Sequence, residues 1–414
     1  MAGIIALMTV HHSFLLPPEM SSPEIRKIFR ALGEGSARFV GGCVRNALLG
    51  EEIGDIDLAT SLTPQCVTER LNEKGIKSIP TGIQHGTVTA VINGKRYEIT
   101  TLRIDKKTDG RRAEVEFSTD WVEDARRRDF TINTLYADLD GRIHDPLGCG
   151  LADLEKRKVR FVGEANARIR EDYLRILRFI RFSARYGRGK FDTVGLEACC
   201  QNKRGLKTLS KERVTQELSK IVTGVGASRG VEVLWSSGLL GGFFSRDFEI
   251  SSFKKLLAVQ SDSGEALVVA RLALMCGASV SGLNRMSNLL ILNRFWKKLL
   301  IWLVSKKINT IRIDLADVRE MAINDGRDFT LCLLDLLYAL GRLTRSEHQE
   351  FVMSGCLADT PAFPVGGHDM RLLGIEGEAI GFELGRLKRL WIESDFALSR
   401  SQLLDLERYK LYKL

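Results

Sequence analysis

The sequence has 414 residues, 44% of them hydrophobic, and a formal net charge of +9, so it is long enough to fold as two to four domains with buried cores. No apolar run reaches the roughly 18 residues of a membrane-spanning helix, so we expect a protein without contact to a membrane. The eight cysteines are scattered without the spacing of a metal-ligand set. This usage is typical of reduced thiols and predicts a cytoplasmic location.

Along the chain, residues 36–145 have the short alternating elements of a mixed α/β domain. One strand is predicted at 56–59. The runs Thr87–Ile92 and Tyr97–Leu102 flank Asn93-Gly94, the strongest local signal for a tight hairpin.

From Arg168 onward, apolar residues recur at helical spacing up to the end of the sequence. The pattern therefore predicts three parts. These are an α/β head at 22–155, a helical neck at 156–225, and an all-helical body and tail at 226–414.

The basic residues are concentrated in the neck. Residues 156–220 contain 18 Lys and Arg against 7 Asp and Glu, whereas the rest of the chain is close to neutral. Such a local excess is typical of a site for a polyanion. A charged, solvated helix would have the same composition, so both interpretations stand at this point.

A double glycine, Gly41-Gly42, lies between a predicted strand and a helix at 44–49. Glycines at such a junction let backbone N–H groups approach a ligand, and the helix N-terminus favours an anion such as phosphate. A glycine pair alone is more often only a turn.

Asp55 and Asp57 follow as an Asp-x-Asp pair, which the predicted strand would place on one face. Two adjacent carboxylates are unfavourable without a cation, and oxygen ligands suit Mg²⁺. An isolated pair is also what an exposed strand edge carries, but the preceding glycine loop favours a metal site. Glu98, on the second strand of the hairpin, is the candidate for a third ligand. A solvent-facing Glu is the equal alternative there.

Two more constellations combine charges with apolar helices. In Asp124-Ala-Arg-Arg-Arg-Asp-Phe-Thr-Ile-Asn133, Arg128 can donate to a phosphate or ribose and Asp129 can accept from a ribose hydroxyl. Further on, every third residue is charged, which predicts a stripe along one flank of a helix. Its members are Asp172, Arg175, Arg178 and Arg181. Asp and Arg in register can bind the edge of a nucleobase. An intrahelical ion pair is the alternative, and four polar residues in register beside a predicted metal site favour the nucleotide-binding interpretation over it.

Together these segments resemble the motifs of the class II tRNA nucleotidyltransferases and bacterial poly(A) polymerases, within the polymerase-β-like superfamily. The similarity extends over nearly the whole chain. The matching segments are Gly41-Gly-x-Val-Arg45 with Asp55-x-Asp57, Arg127–Asn133, Glu171-Asp-x-x-Arg175, Leu209–Arg213 with Glu217-Leu218, and Val365–Met370.

The resemblance implies a polymerase-β-like nucleotidyltransferase head, with Mg²⁺ held by Asp55, Asp57 and Glu98. It also implies that the ribose is read by Arg128 and Asp129, and the base by Asp172 and Arg175. The full nucleotide-binding set implied by the motifs is Gly41, Gly42, Arg45, Arg128, Asp129, Asn133, Asp172, Arg175, Arg178 and Arg181.

By the same resemblance, the expected activity is addition of C, C and A to the 3′ end of tRNA. CTP and ATP would be the substrates, pyrophosphate is released, and no obligate protein partner is expected. The polar segment Asp105–Arg112 is predicted to be the flexible loop of complete CCA-adding forms. Three alternatives remain open: an A-adding or poly(A) polymerase-like relative, a non-catalytic RNA-binding homologue, and a transferase acting on a small molecule or protein.

One residue departs from the family pattern. Asn46 stands where the family usually has Asp. The substitution removes a charge beside Arg45, and we expect it to weaken any salt link that anchors that arginine.

Overall fold

The computed structural model describes residues 13–108, 113–260, 264–308, 310–356 and 361–411. The described chain divides into two compact units, Met1–Leu240 and Gly241–Leu414. The predicted order, an α/β head followed by helices, is confirmed, whereas the domain boundaries at 155 and 225 stay predictions.

The first unit contains a seven-stranded mixed sheet in the order β3-β4-β5-β2-β1-β8-β9, and β6 and β7 form a separate hairpin. The strands are β1 (Ala37–Val40), β2 (Asp57–Thr60), β3 (Lys77–Gly82), β4 (Thr87–Ile92), β5 (Lys95–Thr101), β6 (Arg103–Thr108), β7 (Ala113–Phe117), β8 (Tyr136–Ala137) and β9 (Ile143–His144).

The predicted hairpin is confirmed, because β4 and β5 pair around Asn93 and Gly94, both with positive φ. Its second strand also runs parallel to β2, with Asp57 opposite Glu98. The local turn signal therefore placed Glu98 on its strand, while the pairing with β2 is a contact between segments far apart in sequence.

Two local predictions require correction. The strand β2 begins at Asp57, so Asp55 lies in the irregular segment before it rather than on the strand. The predicted flexible loop begins as strand instead, since Asp105 lies within β6. Residues 109–112 lie outside the described residues.

The described part of the first unit also contains ten α-helices, the last six of which follow the last strand. They are α1 (Pro23–Leu32), α2 (Gly42–Leu49), α3 (Pro64–Glu73), α4 (Trp121–Arg126), α5 (Gly150–Glu155), α6 (Ala165–Glu171), α7 (Leu174–Tyr186), α8 (Thr193–Gln201), α9 (Lys211–Thr223) and α10 (Ala227–Ser236).

An aromatic cluster holds α7 against the segment that follows α4. Phe130 packs against Phe161 at 5.2 Å between ring centroids and against Phe182 at 5.1 Å. Phe161 stacks on Phe179 at 5.1 Å. All four rings are buried, and such pairs stabilise beyond their buried area. The cluster fixes the position of α7, and two of its arginines, Arg178 and Arg181, lie over the ring of Phe182.

In the second unit, every described regular element is helical. The elements are α11 (Ile250–Val259), α12 (Glu265–Cys276), α13 (Val280–Leu289), α14 (Arg294–Ser305), α15 (Leu315–Asn324), α16 (Arg327–Ala339), α17 (Arg345–Glu350), α18 (Gly367–Leu372), α19 (Glu378–Glu393) and α20 (Arg400–Leu411), with a π-helical turn at Phe351–Cys356. One of its cores contains Met370, Leu387, Trp391 and Leu403.

Within the described ranges, no single helix is long and apolar enough to cross a membrane. Helices α12 and α13 pass that test only as a pair, by length and composition, and they are bent by 111°.

Candidate active site

The double glycine forms a sharp junction between β1 and α2. Gly41 adopts φ +71°, a left-handed conformation that L side chains rarely take, and it caps α2. A Cβ atom built on Gly41 would lie 3.5 Å from a guanidinium nitrogen of Arg128. That distance is an ordinary contact, so it is the backbone conformation rather than the space that favours glycine where the predicted phosphate loop meets the arginine-rich segment.

Behind this loop, Arg45 is buried and held by three neutral side chains. Its Nε and Nη2 donate to Asn46 Oδ1 at 3.1 and 2.9 Å, and its Nη2 donates to the Tyr186 hydroxyl at 2.7 Å. Its Nη1 donates to Asn133 Oδ1. Burial lowers the pKa of Arg45. Asn46 therefore still anchors Arg45, through hydrogen bonds rather than a salt link.

Asp55, Asp57 and Glu98, hereafter the carboxylate group, are electrostatically coupled. Asp57 is half-buried, while the other two are exposed. Burial, together with the negative charges of Glu98 and Asp55, raises the pKa of Asp57. Among the described residues, no three His, Cys, Asp or Glu side chains form a closed metal-ligand set. The carboxylate group therefore has the negative charge of a cation site, but its three side chains are not arranged as a complete set of metal ligands.

Arg128 is fixed by a carboxylate that sequence analysis did not assign. Its Nη2 donates to Asp124 Oδ2 at 2.8 Å, and the Tyr136 hydroxyl donates to the same oxygen at 2.7 Å. Arg127 pairs with the other oxygen at 2.6 Å. Burial opposes the charged form of Asp124, but the charges of Arg128 and Arg127 hold its pKa well below the usual range. The positive charge of Arg128 also acts on Asp57.

Asp129 connects the head to the neck. Its Oδ1 accepts from Asn133 Nδ2 at 2.9 Å, and its Oδ2 accepts from Arg178 Nε and Nη2 at 2.8 and 2.6 Å. Burial opposes the charged form, but Arg178 and these hydrogen bonds lower the pKa of Asp129. Arg181 in turn donates to the buried Glu217 at 2.7 Å. We call Asp129, Arg178, Arg181 and Glu217 the arginine ladder.

The predicted stripe is wrong at its first residue. Asp172 does not lie on the helix of Arg175, because α6 ends at Glu171 and α7 begins at Leu174. Asp172 is extended, with φ −154°, and its Oδ1 accepts from the backbone N–H of Leu174 at 3.1 Å. An Asp side chain that caps a helix start competes with helical continuation.

The proposed base-reading residues also have separate partners. Asp172 pairs with Arg213 at 2.7 Å, and Arg175 pairs with Glu171 at 2.7 Å. Arg175 also donates to the backbone oxygen of Arg168 at 2.8 Å. The alternative interpretation, an ion pair between Asp172 and Arg175, is therefore wrong, since each residue pairs with another partner.

The first unit thus brings the glycine loop, Arg45, the segment Arg128–Asn133 and α7 into one contact network. Sequence analysis did not assign roles to Asp124, Tyr186 or Arg213. Asp124 could have been found from its position four residues before Arg128 on a helix. Tyr186 and Arg213 contact residues remote in sequence and leave no local signal.

Comparison with known proteins covers both units. The profile described as the poly A polymerase head domain matches residues 37–160. The profile described as a probable RNA and SrmB-binding site of polymerase A matches residues 190–248.

Individual relatives extend this similarity over the chain. The mitochondrial CCA tRNA nucleotidyltransferase 1 of Mus musculus is 35% identical over 419 residues, covering 95% of this chain and 93% of the mouse protein. The CCA-adding enzyme of Oceanobacillus iheyensis is 46% identical over 199 residues, about half of each chain (47% and 48%).

Among solved structures, the CCA-adding enzyme of Bacillus stearothermophilus in complex with CTP superimposes with a TM-score of 0.70. It is 26% identical and covers 95% of this chain and 100% of its own. Since similarity of this extent includes the head and the helical remainder, the chain belongs to the family of class II CCA-adding enzymes and poly(A) polymerases.

Proposed function

We propose that this protein adds C, C and A to the 3′ end of tRNA without a nucleic-acid template, using CTP and ATP and releasing pyrophosphate. The observation that carries the proposal is the similarity to the mouse CCA tRNA nucleotidyltransferase, which extends over 95% of this chain. The head that bears the carboxylate group and the helices that would hold tRNA both lie within that match.

The triphosphate would bind at the start of α2. Gly41 and Gly42 open the backbone there, and a helix N-terminus favours negative charge. Arg45 adds a positive charge beside Gly42, since its Nη2 lies 3.7 Å from where a Cβ of Gly42 would be. These groups would orient the α-phosphate for in-line attack by the 3′-hydroxyl of the RNA.

The carboxylate group would hold Mg²⁺. Its chemistry fits, because hard oxygen ligands suit this ion and the coupled negative charges that raise the pKa of Asp57 would be relieved by a cation. Bound Mg²⁺ would stabilise the negative charge that develops on the transferred phosphoryl group. Asp55 and Glu98, being exposed, are free to adjust around Asp57.

The ribose and base would be read between the head and α7. Asp129 accepts hydrogen bonds and Arg128 lies against Gly41, which supports the ribose assignment. Asp172 and Arg175 would read the base as acceptor and donor. To do so, they would exchange their present partners Arg213 and Glu171 for the edge of CTP or ATP.

The test is transfer to a tRNA that lacks its 3′ end. The full chain would be incubated with Mg²⁺, this tRNA and labelled CTP, ATP or both. We expect two C residues with CTP alone and then one A when ATP is added, with no further growth. Open-ended A addition would instead indicate a poly(A) polymerase, A addition only after a preformed CC end would indicate an A-adding enzyme, and no incorporation would refute the proposal.

An Asp55→Ala variant separates catalysis from binding. It should bind tRNA with the affinity of the parent and transfer nothing, because Asp55 is exposed and its removal leaves the described contacts of α2 and α7 in place. If the parent itself transfers nothing but binds tRNA in a salt-sensitive manner, the protein is an RNA-binding homologue.

For the compartment, we propose the cytoplasm, with the mitochondrial matrix as the alternative raised by the mouse relative's name. The seven described cysteines are free thiols, and a reducing compartment suits them. Microscopy of the tagged full chain against mitochondrial and cytoplasmic markers decides between the two.

A further inference from the structure

Arg45 is a buried cation without an acidic partner. The residue is 5% exposed. Each of its four side-chain hydrogen bonds ends on a neutral oxygen of Asn46, Asn133 or Tyr186. Within the described part of the chain, no carboxylate lies within ion-pair distance of its guanidinium. Because an arginine stays protonated at neutral pH, its charge is oriented by this network, and the negative charges of Asp129 and Glu51 act on it only from beyond ion-pair distance.

Aromatic rings complete this environment. The Arg45 guanidinium carbon lies 4.0 Å from the Tyr186 ring centroid and 5.2 Å from that of Phe182. Such contacts stabilise a cation without cancelling its net charge. In the low dielectric of a buried site, that charge acts over a longer range than it would in water.

Asn46 faces in two directions. Its Oδ1 accepts from Arg45, while its Nδ2 donates to the backbone oxygen of Glu52 at 2.7 Å. Glu52 lies three residues before Asp55, in the segment that leads into β2. A carboxylate at position 46 would lose this donor and would place a negative charge against Arg45. The amide combines the link to Glu52 with an arginine that has no carboxylate directly paired to it.

We propose that Asn46 and Tyr186 are positioning residues that fix Arg45 through neutral oxygen atoms and thereby leave its positive charge to attract the triphosphate at Gly41-Gly42. This inference rests on the proposed function, in which a nucleoside triphosphate binds at that loop. It assigns position 46 a tuning role in nucleotide affinity. The departure from the family's usual Asp then strengthens ground-state binding instead of impairing the site.

The experiment measures binding of inorganic triphosphate and of CTP to the full chain by calorimetry, at low and high salt. Asn46→Asp should weaken triphosphate binding about tenfold, because a carboxylate beside Arg45 would offset part of its attraction for the triphosphate. It should also flatten the salt dependence of binding. The KM values for CTP and ATP should rise in parallel while kcat stays close to that of the parent.

Tyr186→Phe tests the positioning of Arg45 without changing the net charge around it. It keeps the ring beside Arg45 and removes one hydroxyl acceptor. We expect about threefold weaker triphosphate binding, as for a neutral hydrogen bond, with the salt dependence of the parent. Matched controls are Asn324→Asp and Tyr338→Phe in the second unit, which add the same charge or remove the same group elsewhere and should leave binding unchanged.

The proposal is overturned if Asn46→Asp folds and binds triphosphate with the affinity and salt dependence of the parent. If Asn46→Asp does not fold, Arg45→Gln decides, since it removes the charge but keeps an amide; affinity equal to that of the parent would again overturn the proposal. Binding of inorganic triphosphate requires no turnover. The tRNA transfer assay therefore tests the proposed function, and the triphosphate-binding measurements on the variants test the role of Asn46. Failure of one can be told apart from failure of the other.

Discussion

The carboxylate group and the arginine ladder use charge in opposite ways. In the described structure, Asp55, Asp57 and Glu98 have no Lys or Arg within ion-pair distance, and burial together with their mutual repulsion raises the pKa of Asp57. In the ladder, each charge has a partner: Arg178 pairs with Asp129, and Arg181 pairs with Glu217. The unpaired charges are candidates for chemistry, whereas the paired ones hold α7 in place. Removing a charge should therefore have opposite effects on stability in the two regions.

The largest effect is expected in the carboxylate group. Asp57→Asn should reduce nucleotide transfer on the order of a thousandfold, since a metal-bound carboxylate contributes several kcal/mol to the transition state. The same variant, without metal, should melt at a higher temperature than the parent because one half-buried like charge is gone. Transfer assays and calorimetric melting measure both.

Asp140→Asn is the control for that variant, because Asp140 is an exposed aspartate of the same unit. It should change neither transfer nor melting. A lower melting temperature for Asp57→Asn would mean that Asp57 is held by structural contacts and that the comparison is wrong.

In the ladder, Glu217→Gln should instead destabilise the protein. The side chain is buried and pairs with Arg181 at 2.7 Å and with Arg178 at 3.7 Å. Breaking these charge-assisted contacts should cost about 2 kcal/mol. Hydrogen exchange of α7 reports the loss locally. Glu197→Gln, an exposed glutamate on α8, serves as the matched control and should leave the protection of α7 unchanged.

Arg175 tests whether a paired arginine also takes part in recognition. If it exchanges Glu171 for a nucleobase, Arg175→Ala should change the ratio of CTP to ATP incorporation about tenfold, since a bidentate base contact contributes about 1–3 kcal/mol. Single-nucleotide incorporation assays give the ratio. An equal loss with both nucleotides would restrict Arg175 to holding α6 and α7 together.

Most of the local structure, but little of the ladder, could be predicted from the sequence. The hairpin around Asn93-Gly94 and the glycine junction depend on backbone preferences of adjacent residues, so a short segment contains the whole signal. The pairing of Arg178 with Asp129, 49 residues apart, depends on tertiary packing. The break at Asp172 was missed because helical spacing continues on both sides, and the capping contact of the aspartate outweighs it.

The pairing of arginines with carboxylates also changes the interpretation of the basic excess in the neck. The basic excess of residues 156–220 predicts a site for a polyanion, but carboxylates outside this segment offset part of it. Arg178 pairs with Asp129, Arg160 pairs with Asp153, and Arg157 and Arg185 pair with Glu51. A count of the charged residues in one segment does not show which of them pair with residues elsewhere in the chain. The charge available to RNA is therefore smaller than the sequence total.

Exposed cations of the neck should carry more of the tRNA affinity than the ladder does. Lys203, Arg204 and Lys207 are exposed on the short turn after α8. Lys207→Ala should weaken tRNA binding about threefold at physiological salt and reduce the salt slope by roughly 0.7–0.9, the loss of one phosphate contact. Filter binding over a salt series measures both, with the exposed Lys74→Ala of the head as control. An unchanged slope would place the RNA elsewhere.

The smallest effect is expected at acidic pH, and it tests whether pairing with arginine stabilises a buried carboxylate. The pKa of Asp124 lies below its usual value of 3.8, because Arg128 and Arg127 outweigh the effect of burial. A carboxylate with a lowered pKa stabilises the fold above 3.8, and this contribution is lost as the pH falls through the folded-state pKa. At pH 3.8 half of the unfolded chains hold the proton, so the contribution has fallen by about 0.4 kcal/mol from its neutral-pH value.

Asp124→Asn lacks this titration, and the stability difference between parent and variant should shrink by that amount between pH 6 and 3.8. Urea unfolding followed by fluorine NMR of 5-fluorotryptophan gives the difference at Trp121, which packs against Tyr136 at 5.2 Å. A difference that stays constant over this range would mean that Asp124 is not held as an anion by its arginines, so that pairing with arginine does not stabilise this buried carboxylate.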